Sequence, residues 1–383
     1  MDPHHIKKIL ALHFHPETGT PFWLERQRLL GLDVRETISS REDFHLLGVM
    51  DIAALRTRTI TDFIPRALHR DLASHLLSET GGTTGDPCRR VFSPEEFHDA
   101  FITPWLKAVT AHNFPHGGRW LFVGPGGPHI IDRSARAMAR SLGSLEPFTV
   151  DCDVRWIKRQ AKGSMGLKLY MDHVLSQAAN ILSHQKIDTL FTTPPLLVEL
   201  ARIMSAPQRE RIRGIHTGGM NLDPQTAREL RGHFANAVIL PGYGNSLFGV
   251  TFPIIKEGGG INENRAEARP AVTPQSGCRS DLNPTNALQQ QGGEDVFQAQ
   301  DPALWLQLAP IPEDEHAAQD LRACVAPNER GRVILHRLDP SFLILNLPER
   351  DTAIAVACPD GTLGLSGIAP LEFATPLERQ GVY

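Results

Sequence analysis

SETGGTTGDP, at residues 78–87, is the segment from which the architecture of this chain can be inferred. Seven of its ten residues are Ser, Thr or Gly, a composition typical of flexible linkers. It nevertheless lies between two apolar segments, inside what must be a folded chain. Gly82 and Gly85, with the hydroxyl groups of Thr83 and Thr84, offer small side chains, accessible amides and donors that can enclose a phosphate. The segment lacks the Lys of G-x-x-x-x-G-K-[ST], which argues against a P-loop NTPase.

The residues on either side predict that this segment joins two strands. Upstream, helices are predicted at 22–30 and after the capping residue Asp51, and downstream a strand is predicted at 88–92. Ser93, with a proline next and Glu96 three residues later, predicts the start of a helix. A loop between two strands differs from a P-loop, which leads directly into a helix.

Beyond residue 118 the pattern is a strand, a glycine turn and a helix, repeated. Strands are predicted at 119–123, 148–154, 187–193, 212–217 and 236–240. The helices between them are predicted at 131–142, 167–185, 196–204 and from the cap Asp223 to about residue 233. This alternation predicts an α/β fold, a mostly parallel sheet with helices on both faces. Because ligands bind at the carboxyl ends of parallel strands, the glycine turns after 123, 217 and 240 predict a site there.

The remainder of the chain changes character. Residues 257–300 are polar, rich in Gly, Asn, Gln and Pro, and lack hydrophobic periodicity, which predicts a mobile insertion. Strands are then predicted at 303–311, 331–338, 341–347 and 353–359. We therefore predict an α/β core at 1–256, the insertion at 257–300, and a β-rich subdomain at 301–383 that completes the site.

Composition limits the function classes. A chain of 383 residues can bury a large core divided between two lobes. A net charge of −4, with both signs mixed along the chain, argues against nucleic-acid binding. No run approaches the ~18 apolar residues of a membrane span, and the first residues lack a signal-peptide cleavage site, so we predict a cytoplasmic protein. Five scattered cysteines without a C-x-x-C pair predict a reducing compartment and no zinc site.

Several short motifs, in order along the chain, resemble those of the adenylate-forming superfamily, which includes acyl- and aryl-CoA ligases, luciferases and peptide-synthetase adenylation domains. Residues 80–87 resemble its phosphate loop, [ST]-S-G-T-T-G-x-P-K, and residues 217–220 resemble its adenine-contacting segment. Residues 242–246 resemble Y-G-x-[TS]-E, and residues 342–351 resemble the segment that ends in T-G-D. Residues 124–129 lie where the family has a loop that lines the acid pocket. The match looks closest to the phenylacetate-CoA ligase branch and to the phenazine-tailoring adenylating enzymes of the griseoluteic acid type.

The resemblance implies the large N-terminal core of that fold, with parallel sheets flanked by helices and a smaller β-rich subdomain. It implies ATP-dependent, Mg²⁺-assisted adenylation of a carboxylic acid, here an aromatic one in antibiotic biosynthesis. The residues it implies for catalysis are Thr83, Thr84 and Ser246. Those it implies for ATP are Thr80, Gly82, Gly85, Gly218, Gly219, Met220, Tyr243, Gly244, Asn245 and Asp351. Those it implies for the acid are Gly126, His129, His216 and Gly218.

The sequence also departs from the family's pattern. The Lys that ends the phosphate loop is Cys88, the Glu that ends Y-G-x-[TS]-E is Leu247, and the Glu of the adenine segment is Met220. In the family the second of these helps to hold Mg²⁺. Only residues 352–383 follow Asp351 and their last segment has no Lys, so we expect the family's mobile C-terminal domain to be absent.

These departures leave alternatives open. The chain is an adenylating enzyme, or a nucleotide- and acid-binding module with little turnover, or a domain whose missing Lys comes from a partner. A reductase, a thiol or a carrier protein is the partner class expected to take the acyl group. A homodimer is one arrangement left open, and His129 is either a pocket residue or one that stabilises a turn.

Overall fold

The computed structural model describes residues 2–82, 85–254, 295–314 and 317–372. Its α-helices are α1 Pro3–His13, α2 Pro21–Leu30, α3 Val34–Thr37, α4 Ile52–Thr57, α5 Pro94–Phe97, α6 Thr103–Ala111, α7 Ile130–Ser141, α8 Val154–Lys158, α9 Met165–His184, α10 Pro194–Ile203, α11 Ala206–Arg211 and α12 Pro224–His233. Its strands are β1 Leu76–Glu79, β2 Arg89–Phe92, β3 Trp120–Gly124, β4 Phe148–Asp151, β5 Thr189–Thr192, β6 Gly214–Thr217, β7 Val238–Pro241, β8 Tyr243–Asn245, β9 Gly249–Pro253, β10 Phe297–Gln298, β11 Leu304–Ala309, β12 Arg330–Leu338, β13 Leu343–Ala357 and β14 Leu363–Pro370. Short 3-10 turns and one π-helical turn, His98–Ile102, connect these elements.

The predicted parallel sheet is present, with strand order β4-β3-β5-β6-β7 in the described part of the chain. One of its faces packs against α6 and α7, and the other packs against α9, α10 and α12. The strand predicted at 148–154 is shorter than expected, because Asp153 caps α8 and turns the chain into that helix. Helices on both faces and short βα turns confirm the α/β class and direct all five carboxyl ends to one edge.

A second, antiparallel sheet has the strand order β11-β12-β13-β14-β10-β9-β8. The prediction of separate strands at 341–347 and 353–359 is wrong, because one strand, β13, runs through both. Between the pairs Ile334↔Pro348 and Arg332↔Thr352, β13 takes four residues where β12 takes two. A bulge of this kind bends the strand and re-aims its side chains, often beside an active site.

The N-terminal segment packs against this antiparallel sheet. Residues of α1, α2 and the turns up to about residue 68 share one buried hydrophobic cluster with β11 to β14. Two buried polar contacts accompany this packing: His13 Nε2 lies 2.9 Å from the Asp339 carbonyl oxygen, and Trp23 Nε1 donates to the Leu343 carbonyl oxygen over 3.1 Å. The predicted boundaries at 256 and 300 stay predictions, since residues 255–294 lie outside the described ranges.

The SETGGTTGDP segment leaves one strand of a hairpin and leads into the other, as its flanks predict. β1 and β2 pair antiparallel, with Leu76 opposite Phe92 and Glu79 opposite Arg89. Thr80 closes the hairpin twice, because its amide donates to the Cys88 carbonyl oxygen over 3.0 Å and its hydroxyl accepts from the Cys88 amide over 2.9 Å. Thr80 and Cys88 therefore form a fixed base for the residues between them.

Candidate functional site

A cavity of about 290 Å³ opens where the carboxyl edge of the parallel sheet meets the antiparallel sheet. Most of the residues singled out from the sequence lie in its wall: Thr80, Gly82, His129, His216, Gly218, Gly219, Tyr243, Gly244, Asn245, Ser246 and Asp351. Gly85, Gly126 and Met220 are not among its lining residues. Thr83 and Thr84 lie outside the described residues. Segments that are far apart along the chain thus share one cleft.

The hairpin loop at this wall requires glycine. Gly82 has a φ of 60°, and a Cβ there would lie 2.9 Å from the Gly85 carbonyl oxygen and 3.2 Å from Pro87 Cγ. An L-residue would therefore be strained in its backbone and would clash within the loop. Gly126 and Gly85, which do not line the cavity, have other surroundings. The Gly126 amide donates to Asp151 Oδ1 over 2.7 Å, and Gly85 is exposed.

Tyr243 and Asp351 form a hydrogen-bonded pair in the cavity wall. The Tyr243 hydroxyl donates to Asp351 Oδ2 over 3.2 Å, and its ring packs at 5.7 Å from Phe248 and 6.2 Å from Phe297. Burial raises the pKa of both groups, and for Tyr243 the Asp351 charge raises it further. One face of an aromatic ring and a carboxylate are thereby held side by side, the arrangement that suits a base and a ribose diol.

Asn245 organises the turn that follows β8. Its amide oxygen accepts from the Leu247 amide over 2.8 Å and from the Phe248 amide over 3.2 Å, and its Nδ2 donates to Glu349 Oε1 over 3.0 Å. A Cβ on Gly244 would lie 2.1 Å from the Gly249 carbonyl oxygen, so only glycine fits there. The turn holds Ser246 in the cavity wall.

Glu349 is a carboxylate that the sequence reasoning did not single out. It lines the cavity together with Asp351, which follows it by two residues on the bulged part of β13. Burial, followed by the charge of Asp351, raises the pKa of Glu349 to about 7. A carboxyl group with this environment in a cleft is a candidate functional group.

Buried cations fix the backbone next to Ser246. Arg90 Nη1 donates to the Leu247 carbonyl oxygen over 2.6 Å, and Arg337 Nη1 donates to the Phe248 carbonyl oxygen over 2.7 Å. Both arginines are fully buried and both bond Asp339, Arg90 over 2.7 Å and Arg337 over 2.5 Å. Because Arg337 also pairs with Asp301 over 2.7 Å, two carboxylates balance the two arginines, which makes the network compatible with burial and this turn rigid.

The two histidines of the wall differ in what they offer to a ligand. His216 is packed among Trp105, Phe191 and Phe252, and burial lowers its pKa to about 4, so its ring is neutral. A Cβ on Gly242 would lie 2.9 Å from its Cε1, which ties that glycine to this ring. His216 Nδ1 lies 2.9 Å from the Leu240 carbonyl oxygen and donates to it.

His129 keeps one nitrogen for the cavity. Its Nδ1 lies 3.1 Å from the Glu79 carbonyl oxygen, which can only accept, so Nδ1 carries the proton. Burial lowers the pKa of His129, and the neutral ring then has a bare acceptor at Nε2. That Nε2 is buried and has no hydrogen-bond partner among the described residues. The geometry is compatible with both predicted roles of His129, since the ring also braces the hairpin base.

Part of the cavity wall is apolar. Phe101 comes from the π-helical turn, Ile130, Ile131 and Met138 come from α7, and Val250 comes from β9. Such a surface suits the hydrocarbon part of a ligand, and the hairpin loop and β13 add polar groups to the same wall.

Several further charged residues at the site are not among those predicted from the sequence. Arg56 of α4 and Arg350 of β13 line the cavity, and Lys158 of α8 contacts Gly81 in the hairpin loop. Arg350 and Glu349 stand inside the segment 342–351, so their place beside Asp351 was the available signal. Arg56 and Lys158 had none.

The described residues lack two kinds of feature. No three His, Cys, Asp or Glu side chains in those ranges come together in a way that could hold a metal ion. In the same ranges no helix combines the length and the apolar character needed to cross a membrane.

Comparison with known proteins rests on structure, because no protein-family model and no curated protein sequence matches the chain. A 2-hydroxyisobutyryl-CoA ligase in complex with 2-HIB-AMP and CoA, in the thioesterification state, superposes with a TM-score of 0.65 at 13% identity, over 97% of this chain and 67% of that one. The same ligase in an open conformation superposes with a TM-score of 0.64 at 12% identity, over 95% of this chain and 72% of that one. In the postadenylation state with 2-HIB-AMP, it superposes with a TM-score of 0.62 at 12% identity, over 95% of this chain and 65% of that one.

At this identity the likeness shows the fold. The parallel sheet flanked by helices and the separate antiparallel sheet match the N-terminal core of an adenylate-forming ligase. The structural neighbours are adenylate-forming enzymes, as the sequence motifs imply. The resemblance to the phenylacetate-CoA ligase branch and to the phenazine-tailoring enzymes stays a prediction.

Proposed function

We propose that this protein joins a carboxylic acid to the α-phosphate of ATP, forming an acyl-adenylate and releasing pyrophosphate. The proposal rests mainly on the cavity. Its wall combines the hairpin loop, the turn after β6, the turn after β8 and the bulge of β13. These are the segments that resemble the phosphate, adenine and ribose motifs of adenylate-forming enzymes. The likeness in fold to a ligase solved with 2-HIB-AMP supports the same reaction class.

In the proposed reaction a carboxylate oxygen attacks the α-phosphorus. An oxygen–phosphorus bond forms, and the bond from the α-phosphorus to the bridging oxygen breaks, its electron pair leaving with pyrophosphate. The protein contributes mainly by positioning the reactants and by stabilising charge on the phosphate oxygens. Tyr243 would contact the adenine ring, Asp351 would accept from the ribose hydroxyls, and Ser246 with the hairpin loop, including Thr83 and Thr84, would bind the phosphates.

Mg²⁺ would neutralise part of the phosphate charge when bound. The residues present fit it, because Mg²⁺ is usually held by one or two carboxylates together with substrate phosphates. Leu247 stands where the family has the metal-binding Glu and is buried in the core. Glu349 is a carboxylate of the cavity wall close to the same turn, bonded to Asn245 at 3.0 Å. We propose that Glu349 takes over this role.

For the acid we propose an apolar, aromatic carboxylic acid, in line with the apolar residues Phe101, Ile130, Ile131 and Met138 of the cavity wall. Phenazine tailoring in antibiotic biosynthesis is the specific case that the motifs suggest. His129 Nε2, as a bare acceptor, suits a hydroxyl on the acid or the thiol of an acceptor. A thiol, a carrier protein or a reductase is the proposed recipient of the acyl group.

A second candidate is a binding module that holds a nucleotide and an acid without turnover. The observation that favours it is Leu247, a buried apolar side chain at the position of a metal ligand. Both candidates bind ATP and an acid, but only the enzyme forms an acyl-adenylate and releases pyrophosphate.

Pyrophosphate exchange separates them. The full chain is incubated with Mg-ATP, labelled pyrophosphate and a panel of aromatic and aliphatic acids, and ATP binding is measured by calorimetry. Acid-dependent label in ATP supports the enzyme. ATP binding without exchange for every acid supports the binding module, and the lack of both removes the nucleotide site altogether.

A further inference from the structure

Lys158 lies at the hairpin loop although it is distant from it in sequence. Its Nζ donates to the Gly81 carbonyl oxygen over 2.7 Å, and Gly81 lines the cavity. The side chain is half-buried, and α8 carries it at its last residue. A cation thus sits directly against the loop whose composition first suggested phosphate.

The helix that carries Lys158 is fixed at several points. Asp153 caps its first turn, accepting from the Arg155 amide over 2.9 Å, and Val154 is fully buried. The Asp153 amide donates to the Tyr170 hydroxyl over 2.6 Å, which ties the start of α8 to α9. Arg155 then approaches Glu79 at 3.8 Å, at the base of the same hairpin. Lys158 is therefore positioned by the fold.

A second cation lies close to Lys158. Arg350, on the bulge of β13 between Glu349 and Asp351, lines the cavity and repels the Lys158 ammonium. Burial, followed by this repulsion, lowers the pKa of Lys158 to about 8. Two cations brought together at a cleft gain more than either alone from an anion bound between them, because each loses repulsion as well as gaining attraction.

We infer that Lys158 is a phosphate-binding residue of this site, acting with Arg350 on a polyphosphate that enters the cavity beside Gly81. Its ammonium supplies the charge that the family takes from the Lys at the end of the loop, where this chain has Cys88. The inference rests on the proposed function, since it assumes that a polyphosphate enters the cavity. The ligand class it names is a nucleoside triphosphate or the pyrophosphate released from it.

The alternative gives Lys158 only the task of bracing the loop through the Gly81 carbonyl oxygen. The two roles predict different dependence on charge. A brace shapes the loop for every ligand, so its loss weakens nucleoside monophosphate and triphosphate alike. A direct contact with phosphate strengthens the binding only of ligands whose phosphates reach Lys158, so its loss weakens ATP binding more than AMP binding.

The test is calorimetry on the full chain with Mg²⁺ present, using inorganic pyrophosphate, AMP and ATP as probes. Lys158→Gln keeps a donor for the Gly81 carbonyl oxygen and removes the charge, whereas Lys158→Arg keeps the charge. Lys162→Gln is the matched control, because Lys162 is exposed four residues away on the same segment. Melting curves of each variant check that the fold is retained.

We expect Lys158→Gln to weaken the binding of pyrophosphate and ATP by about tenfold or more, since a charge-assisted hydrogen bond is lost. The binding of AMP should weaken by less than about threefold. Lys158→Arg should stay within about threefold of the wild type, as should Lys162→Gln. Equal weakening of AMP and ATP, or unchanged pyrophosphate affinity in Lys158→Gln, overturns the inference, as does a wild type that binds no pyrophosphate. Lys158-dependent pyrophosphate binding without any adenine-nucleotide binding leaves the inference standing and removes the proposed function.

Discussion

Replacing Glu349 by Gln should make the unliganded protein more stable at neutral and alkaline pH. The substitution keeps the side-chain oxygen that accepts from Asn245 Nδ2 at 3.0 Å and removes only the ability to ionise. In the wild type the pKa of Glu349 is raised from 4.5 to about 7, chiefly by burial and then by the charge of Asp351. Folding is therefore linked to the protonation of this one carboxyl group.

The sign and size of the effect follow from the two pKa values. The unfolded chain releases the proton near pH 4.5 and the folded protein releases it near pH 7, so the contribution to stability is complete below pH 4.5 and is lost as pH rises to about 7. At 1.36 kcal/mol per pKa unit the loss is about 3 kcal/mol above pH 7. Glu349→Gln, which does not titrate, should match the wild type near pH 4.5 and exceed it by up to ~3 kcal/mol at pH 8.

Urea unfolding of both proteins at a series of pH values between about 5 and 8 measures this difference. Asp351→Asn is the control background: without the Asp351 charge, the stability gap between the proteins with and without Glu349→Gln should narrow, because one cause of the raised pKa has gone. A gap that stays constant across this pH range, or that favours the wild type at pH 8, refutes a raised pKa of Glu349 in the folded protein. Mg-ATP should reverse the ranking, since a bound cation favours the ionised form.

Three further outcomes are expected. Asp351→Asn should weaken ATP binding by about tenfold or more in calorimetry, because charge-assisted hydrogen bonds to the ribose are lost. Tyr243→Phe should weaken ATP binding less. If both variants bind ATP as tightly as the wild type, neither residue belongs to the nucleotide site. His129→Asn, whose amide can replace Nδ1–H, should reduce acid-dependent pyrophosphate exchange by about tenfold with ATP affinity within about twofold, and a drop in ATP affinity instead would assign His129 to the hairpin base. Gly244→Ala should yield insoluble protein because its Cβ would lie 2.1 Å from a carbonyl oxygen, whereas Gly232→Ala, with nothing within 4 Å, should melt at or above the wild-type temperature.

The α/β core was predictable because its signals are local. Ser93 caps α5 with Glu96 in a capping box, Asp223 caps α12, and Asp51 caps α4, each as the sequence indicates. Buried parallel strands read as short apolar runs between helices, so β5 and the strands beside it could be located to within two or three residues.

The antiparallel sheet was less predictable because its irregularities are set by pairing. The polar run Pro-Glu-Arg-Asp within β13 looks like a turn, and only pairing with β12 shows that it is a bulge inside one strand. β8 has the sequence Tyr-Gly-Asn, which carries no strand signal, and it becomes a strand because Gly244 lets β9 approach closely. Such effects depend on distant partners that a single sequence does not display.

The lining of the candidate site was predictable where motifs contain its residues, and its charged residues were less predictable. Position 88 and position 247, where a Lys and a Glu are expected, hold buried apolar or weakly polar side chains, Cys88 at 7% and Leu247 at 5% exposure. Both side chains belong to the buried hydrophobic cluster at the cavity wall, so a charge placed at either position would lose much of its hydration. Glu349 of β13 lies in the wall of this cleft, and Lys158 of α8 contacts Gly81 of the same wall, so the charge near the cleft depends in part on α8, which no motif contains. The residues at positions 88 and 247 therefore do not by themselves argue against the proposed adenylation.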